Sequence, residues 1–146
     1  MKPKSYRKSP PRKPKTDAAP SHPAAAQVVH NVLAELPRLV AVAVVDVASG
    51  VSLAAHSQVA GFNPDTAASY NAEVVKQKQK ALAALQLAGE TIEDILITLS
   101  SQLHLLRLTD NGKWFIYLVV SAHDTNLGIA REVLRAQARQ LEAQPA

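Results

Sequence analysis

Trp114 to Ser121, WFIYLVVS, is apolar on both of its faces. Strand alternation puts Trp114, Ile116, Leu118 and Val120 on one side and Phe115, Tyr117 and Val119 on the other. A strand with one wet face alternates apolar with polar residues, whereas this run reads as a central strand covered from above and below. Val40 to Val47, VAVAVVDV, reads the same way. Two such strands, one early and one late, need helices on both sides of a shared sheet.

Outward from Trp114, the tight-turn sequence Asp110-Asn111-Gly112-Lys113 joins the central strand to a partner over Leu103 to Thr109. Ser100-Ser101-Gln102 joins that partner to an earlier strand over Thr91 to Leu99, TIEDILITL. On the other side, Asp124 to Leu141 reads as a helix capped by Asp124, with Leu127, Ala130, Leu134, Ala138 and Leu141 as its buried stripe. Near the first central strand, the turn DVASG (Asp46 to Gly50) leads into Val51 to His56. There Val51, Leu53 and Ala55 alternate against Ser52, Ala54 and His56, a half-buried strand in a hairpin. Ala24 to Leu36 is a short helix with Val28, Val29, Val32, Leu33 and Leu36 on one side, ended by Pro37.

The longest helix spans Thr66 to Gln86, TAASYNAEVVKQKQKALAALQ, free of Gly and Pro and rich in good helix formers. Asp65 or Thr66 is its expected N-cap, and Gly89 marks where the chain leaves it. The expected order is α-β-β-α-β-β-β-α. The fold class is α+β: a three-layer α/β/α sandwich on a five-stranded, mostly antiparallel sheet of order 2-1-5-4-3. The third strand is then an edge, blunted at its start by Glu93 and Asp94 but apolar over Ile95, Leu96, Ile97 and Leu99.

The long helix is wider in its apolar face than one core requires. Ala67, Tyr70, Val74, Ala81 and Leu85 form one stripe; Ala68, Val75 and Leu82 form a second beside it. Together they exceed the ~100° that packing on one surface uses. Asn71 and Lys78 fall inside that arc. Periodicity leaves two readings open: a helix packed on its own sheet and on a second protein, or a broad amphipathic helix whose Lys78 snorkels to water.

With 146 residues the chain is expected to form one domain, residues 24–142, between a disordered tail (1–23) and a short C-terminal tail (143–146). The net charge of +4 is segregated. Lys2, Lys4, Arg7, Lys8, Arg12, Lys13 and Lys15 meet no acid within residues 1–15, while the rest holds nine basic against twelve acidic residues. The tail also carries six prolines, at 3, 10, 11, 14, 20 and 23. Such an arm fits nucleic acid or an anionic surface, or serves as a solubilising leader.

Absence of cysteine excludes disulfides and thiolate metal sites. No apolar run approaches the ~20 residues of a membrane span, and the basic N-terminus lacks the hydrophobic region of a secretory signal. A cytoplasmic protein is expected. No glycine-rich phosphate loop exists, and His22, His30, His56, His104 and His123 lack metal-ligand spacing and read as surface or edge residues. Glu93 and Asp94, adjacent on a strand, face opposite ways and make a poor acid/base pair. Ser100 and Ser101 have no His-Asp partner nearby in sequence. Arg131, Arg135 and Arg139 recur every fourth residue, a row read as a solvated face or a grip for an acidic partner. No catalysis, cofactor or metal is expected.

From Ala24 to Leu141 the chain resembles the roadblock family, which includes the roadblock light chains of dynein, the LAMTOR subunits and MglB-like bacterial proteins. The likeness rests on the element order, shared in large part with profilin-like domains. It rests also on VVDVASG (Val44 to Gly50), the long Ala-rich helix, ETIEDILITLSSQLHLLRL (Glu90 to Leu108) and NLGIAR (Asn126 to Arg131). A stand-alone bacterial-type member is the nearest description. The glycine matching Gly128 is expected to let the last helix start close to the sheet. The resemblance implies non-catalytic work: a homodimer joined through the second helix and third strand, acting as a platform for protein partners, often Ras-like small GTPases. For this chain the implied dimer contacts are Asn71, Val75, Lys78, Leu82, Ile95 and Ile97. The competing class is a nucleic-acid or anionic-surface binder acting through the basic tail.

Overall fold

The computed structural model describes residues 22–143. Residues 1–21 of the expected tail, with the seven cations of residues 1–15, and residues 144–146 lie outside the described residues, while His22 and Pro23 belong to the start of α1. Three helices and five strands follow in the order α1 (Pro23–Glu35), β1 (Ala41–Asp46), β2 (Ser52–Ser57), α2 (Pro64–Ala84), β3 (Asp94–Thr98), β4 (Gln102–Leu108), β5 (Trp114–Ser121) and α3 (Leu127–Ala143). The sheet runs β2-β1-β5-β4-β3 with every neighbouring pair antiparallel, as the two apolar central strands require.

β5 divides two apolar layers. Ile116, Leu118 and Val120 join Val42, Val44 and Leu105 under α1 and α3, with Trp114 packed at the margin. Phe115, Tyr117 and Val119 join Ala41, Ala43, Val45, Leu106 and Leu108 under α2. Asn31 on α1 donates from Nδ2 to Gln137 Oε1 (3.0 Å) and Gln140 Oε1 (3.2 Å), tying α1 to α3 across their shared face.

The structure departs from the sequence reading where local hydrogen bonds decide. In the β1–β2 hairpin Val44 pairs with Ala54 but Val45 pairs with Ser52, so Leu53 is the extra residue of a bulge. Strict alternation is lost: Leu53 and Ala54 both pack on the α1/α3 layer, and Val51 is exposed. The N-cap of α2 is Asn63, neither Asp65 nor Thr66. Its Oδ1 accepts from the amides of Asp65 (2.9 Å) and Thr66 (3.3 Å), and Pro64 fills the first helical turn, where no amide is needed. α3 begins after Asn126 rather than at Asp124, because Asn126 Oδ1 accepts from the Ile129 amide at 3.0 Å.

Gly128 does not serve a close approach to the sheet. It is exposed, and an added Cβ would meet only Asn126 Oδ1, at 3.3 Å.

α2 leaves its helical path at Gln86, three residues before Gly89. The Leu87 amide donates to the Leu82 carbonyl at 2.8 Å and the Gln86 amide to that of Ala83 at 3.1 Å. This is the bond pattern of a Schellman cap, with Gln86 at φ +59° in the position glycine usually takes. A side chain in the left-handed region costs about 1 kcal/mol, partly offset by the extra freedom glycine brings to the unfolded chain. Gln86→Gly is therefore expected to stabilise by about 0.5 kcal/mol, read as a small rise in thermal midpoint; a fall would contradict the cap.

Candidate interaction surface

α2 lies over β1 and β2 and faces the sheet with small residues. Ala68, Ala72 and Val75 are fully buried. Its outer side exposes Tyr70 (74%), Val74 (38%) and Leu85 (67%) among Glu73, Gln77 and Lys78. β3 is a sheet edge, and its Ile95 and Ile97 are half-buried on the α2 side. Between α2 and β3 runs an open groove of about 330 Å³, lined by Lys78, Ala81, Leu82, Leu85, Ile92, Asp94 and Ile95. A shallower depression beside it shares Lys78 and Ala81 and reaches Tyr70 and Val74. Helix stripe, groove and free strand edge thus make one continuous surface.

Of the residues expected there, Lys78, Leu82 and Ile95 line the groove, and Ile97 follows on β3. Val75 does not reach it: the chain's own core takes it entirely. The cause is rotational, since successive helix residues are turned by ~100°. With the second stripe (Ala68, Val75) facing inward, the first (Tyr70, Val74, Leu85) faces out. The sequence carries both stripes, but only the position of the sheet says which one is inside.

Asn71 sits at the boundary, half-buried, its Nδ2 donating to the Ala67 carbonyl at 2.9 Å. Its side chain also lies near the phenol of Tyr117. Tyr117 Oη lies 2.9 Å from His104 Nδ1, and His104 Nε2 lies 3.0 Å from Gln102 Oε1. The two rings meet edge to face at 5.5 Å. Burial pushes the Tyr117 phenol up to about 12, opposed in part by the nearby Asn71 side chain, and burial lowers the His104 imidazole below its ordinary value. His104 is therefore a half-buried member of a polar chain, not the surface or edge residue expected of it. A histidine between Leu103 and Leu105 on an alternating strand falls on the α2 face, which was the available signal. His22 is also no plain surface residue: its Nδ1 accepts from the Ala25 amide at 3.1 Å, capping α1, and its ring packs edge-on to Trp114.

The arginine row is engaged largely within the chain. Arg131 Nε donates to Asp94 Oδ2 (3.1 Å), holding β3 to α3, and Arg135 pairs with Glu132 (3.2 Å), while Arg139 is exposed. Asp94 is thereby committed to an ion pair, and Ser101 is exposed at the β3–β4 turn. Among the described residues no group of three or more His, Asp or Glu side chains could hold a metal ion, and no helix is long and apolar enough to cross a membrane. The arrangement is suited to binding another protein's apolar face.

No protein-family model and no curated protein matches the chain. Solved structures do. MglB of Myxococcus xanthus superposes with a TM-score of 0.70 at 14% identity, covering 81% of this chain and 84% of that one. A Roadblock/LC7 domain from Streptomyces avermitilis gives 0.66 at 11% identity, covering 80% and 93%. An MglB in a tetrameric arrangement gives 0.63 at 18% identity, covering 82% and 91%. At these identities the likeness is one of architecture, and with the α-β-β-α-β-β-β-α order and the 2-1-5-4-3 sheet it establishes that this chain has the roadblock-family fold.

Proposed function

We propose that the chain is a non-catalytic, cytoplasmic, homodimeric scaffold that regulates or positions a Ras-like small GTPase. The observation that carries the dimer is the continuous apolar surface of α2 and β3: exposed Tyr70, Val74 and Leu85, an open groove, and an unpaired strand edge. Left open, such a surface is an aggregation hazard; against a two-fold copy of itself it becomes an interface. A structure with this fold is described in a tetrameric arrangement, which supports self-association. The GTPase rests on the resemblance to the roadblock family alone.

Light scattering across a concentration series tests the dimer, with twice the chain mass expected at micromolar concentration and a monomer mass throughout contradicting it. Affinity capture from the native cell, in GTP and in GDP, tests the partner. Recovery of a small GTP-binding protein whose yield depends on the nucleotide supports the reading; its absence in both states removes the GTPase.

The charge segregation at residues 1–15 favours one second reading, an anionic-polymer binder acting through the tail. Removing residues 1–20, which keeps the His22 cap of α1, separates the two. Binding of nucleic acid lost on truncation, with nucleotide-dependent capture absent in either form, supports the tail.

A further inference from the structure

His104 pairs in register with Ile97 on β3 and Val119 on β5, so its imidazole shares the sheet face that carries the α2–β3 groove. It is the ring at the centre of the chain Tyr117–His104–Gln102, with Asn71 near the phenol. We infer that this polar chain makes closure of the groove by a second copy conditional on a neutral His104, so that the dimer dissociates in mild acid. The inference rests on the dimer proposed above.

Hydrogen-bond directions carry the argument. Gln102 Oε1 is an acceptor, so Nε2 of the neutral ring bears the proton and donates to it. Nδ1 is then the acceptor for the Tyr117 hydroxyl, whose oxygen faces the Asn71 amide. Both ring nitrogens of His104 then have a partner of the right kind. Protonation puts a hydrogen on Nδ1 as well, and the Tyr117 hydroxyl must turn away.

In a lone protomer His104 is half-buried one strand in from Ile97 on the edge strand β3, and water can solvate the cation. A second copy over the groove removes that water. The charged groups bordering the surface are Glu73 and Lys78 on α2 and Asp94 at the start of β3. Glu73 is paired with Lys76 and Asp94 with Arg131, while β4 and β5 add only Tyr117 to that face. Burial lowers the proton affinity of His104, so deeper burial lowers it further. A group that titrates lower in the complex than in the free chain contributes fully above its free value and loses that contribution as pH falls. One proton per protomer makes two per dimer, and the dissociation constant then rises by up to about 100-fold per pH unit below that value.

Sedimentation equilibrium of the full chain from about pH 8 to about pH 5, with circular dichroism confirming the fold at each point, tests this. The wild type is expected to weaken at least tenfold, His104→Gln to stay flat, and His56→Gln to follow the wild type. Tyr117→Phe, which removes the hydroxyl that opposes protonation, should move the midpoint to higher pH; it also serves if His104→Gln does not fold. A wild-type dimer with a flat profile, a His104→Gln profile like the wild type's, or an unmoved midpoint in Tyr117→Phe overturns the inference and leaves the dimer standing. A chain monomeric at every pH overturns both.

Discussion

Leu118→Asp is expected to leave the chain unfolded at neutral pH. Leu118 is fully buried at the middle of β5, the central strand, with Val42 on β1 and Leu105 on β4 opposite it in register. All three belong to the layer under α1 and α3. The substitution forfeits about 2 kcal/mol of apolar burial and places a carboxylate where no cation or hydrogen-bond donor faces it, costing several kcal/mol more. The total approaches or exceeds the ~5–15 kcal/mol that holds a domain of this kind together. Leu118→Ala provides the graded comparison: a cavity at about 2–5 kcal/mol, still folded but melting well below the wild type. Far-UV circular dichroism and thermal melts read both. A cooperative transition for Leu118→Asp within a few degrees of the wild type would mean that β5 is not covered on both faces.

That centre of the fold was legible because burial on two faces leaves a mark no local effect can imitate. WFIYLVVS and VAVAVVDV hold one polar residue between them ahead of Ser121, and the sheet order follows once both must be interior. Ends of elements were less legible, since several residues compete to cap each helix. Asn63, Asp65 and Thr66 all suit the start of α2, and the competition is decided by which oxygen reaches two amides. The bulge at Leu53 was invisible, because it depends on pairing with β1 rather than on β2 itself. The interaction surface was half legible. Two apolar stripes on α2 announced two burial partners, but neighbours Val74 and Val75 differ only in which one the sheet claims. His104 was hidden for a similar reason: its partner Tyr117 comes from β5 and meets it only in the folded chain.

The contrast between Val74 and Val75 supplies the sharpest test of the proposed interface. Val74→Glu combined with Leu85→Glu adds two carboxylates to each exposed stripe, four in a two-fold dimer, at positions 38% and 67% exposed in the protomer. Exposed changes of this kind move protomer stability by only about 0.5 kcal/mol. Across an apolar interface, desolvated like charges are expected to cost about 4 kcal/mol or more, weakening the dimer about a thousandfold. Light scattering should therefore report monomers with a melting profile close to that of a wild-type monomer. Val75→Glu buries its charge between α2 and the sheet and should unfold the chain rather than dissociate it. Arg139→Glu, on the exposed side of α3, should change neither mass nor stability. A Val74/Leu85 variant that stays dimeric at wild-type affinity would place the contact elsewhere. Dissociation by Val75→Glu with the fold intact would mean that α2 is rotated from the position described, with the second stripe and not the first turned toward the partner.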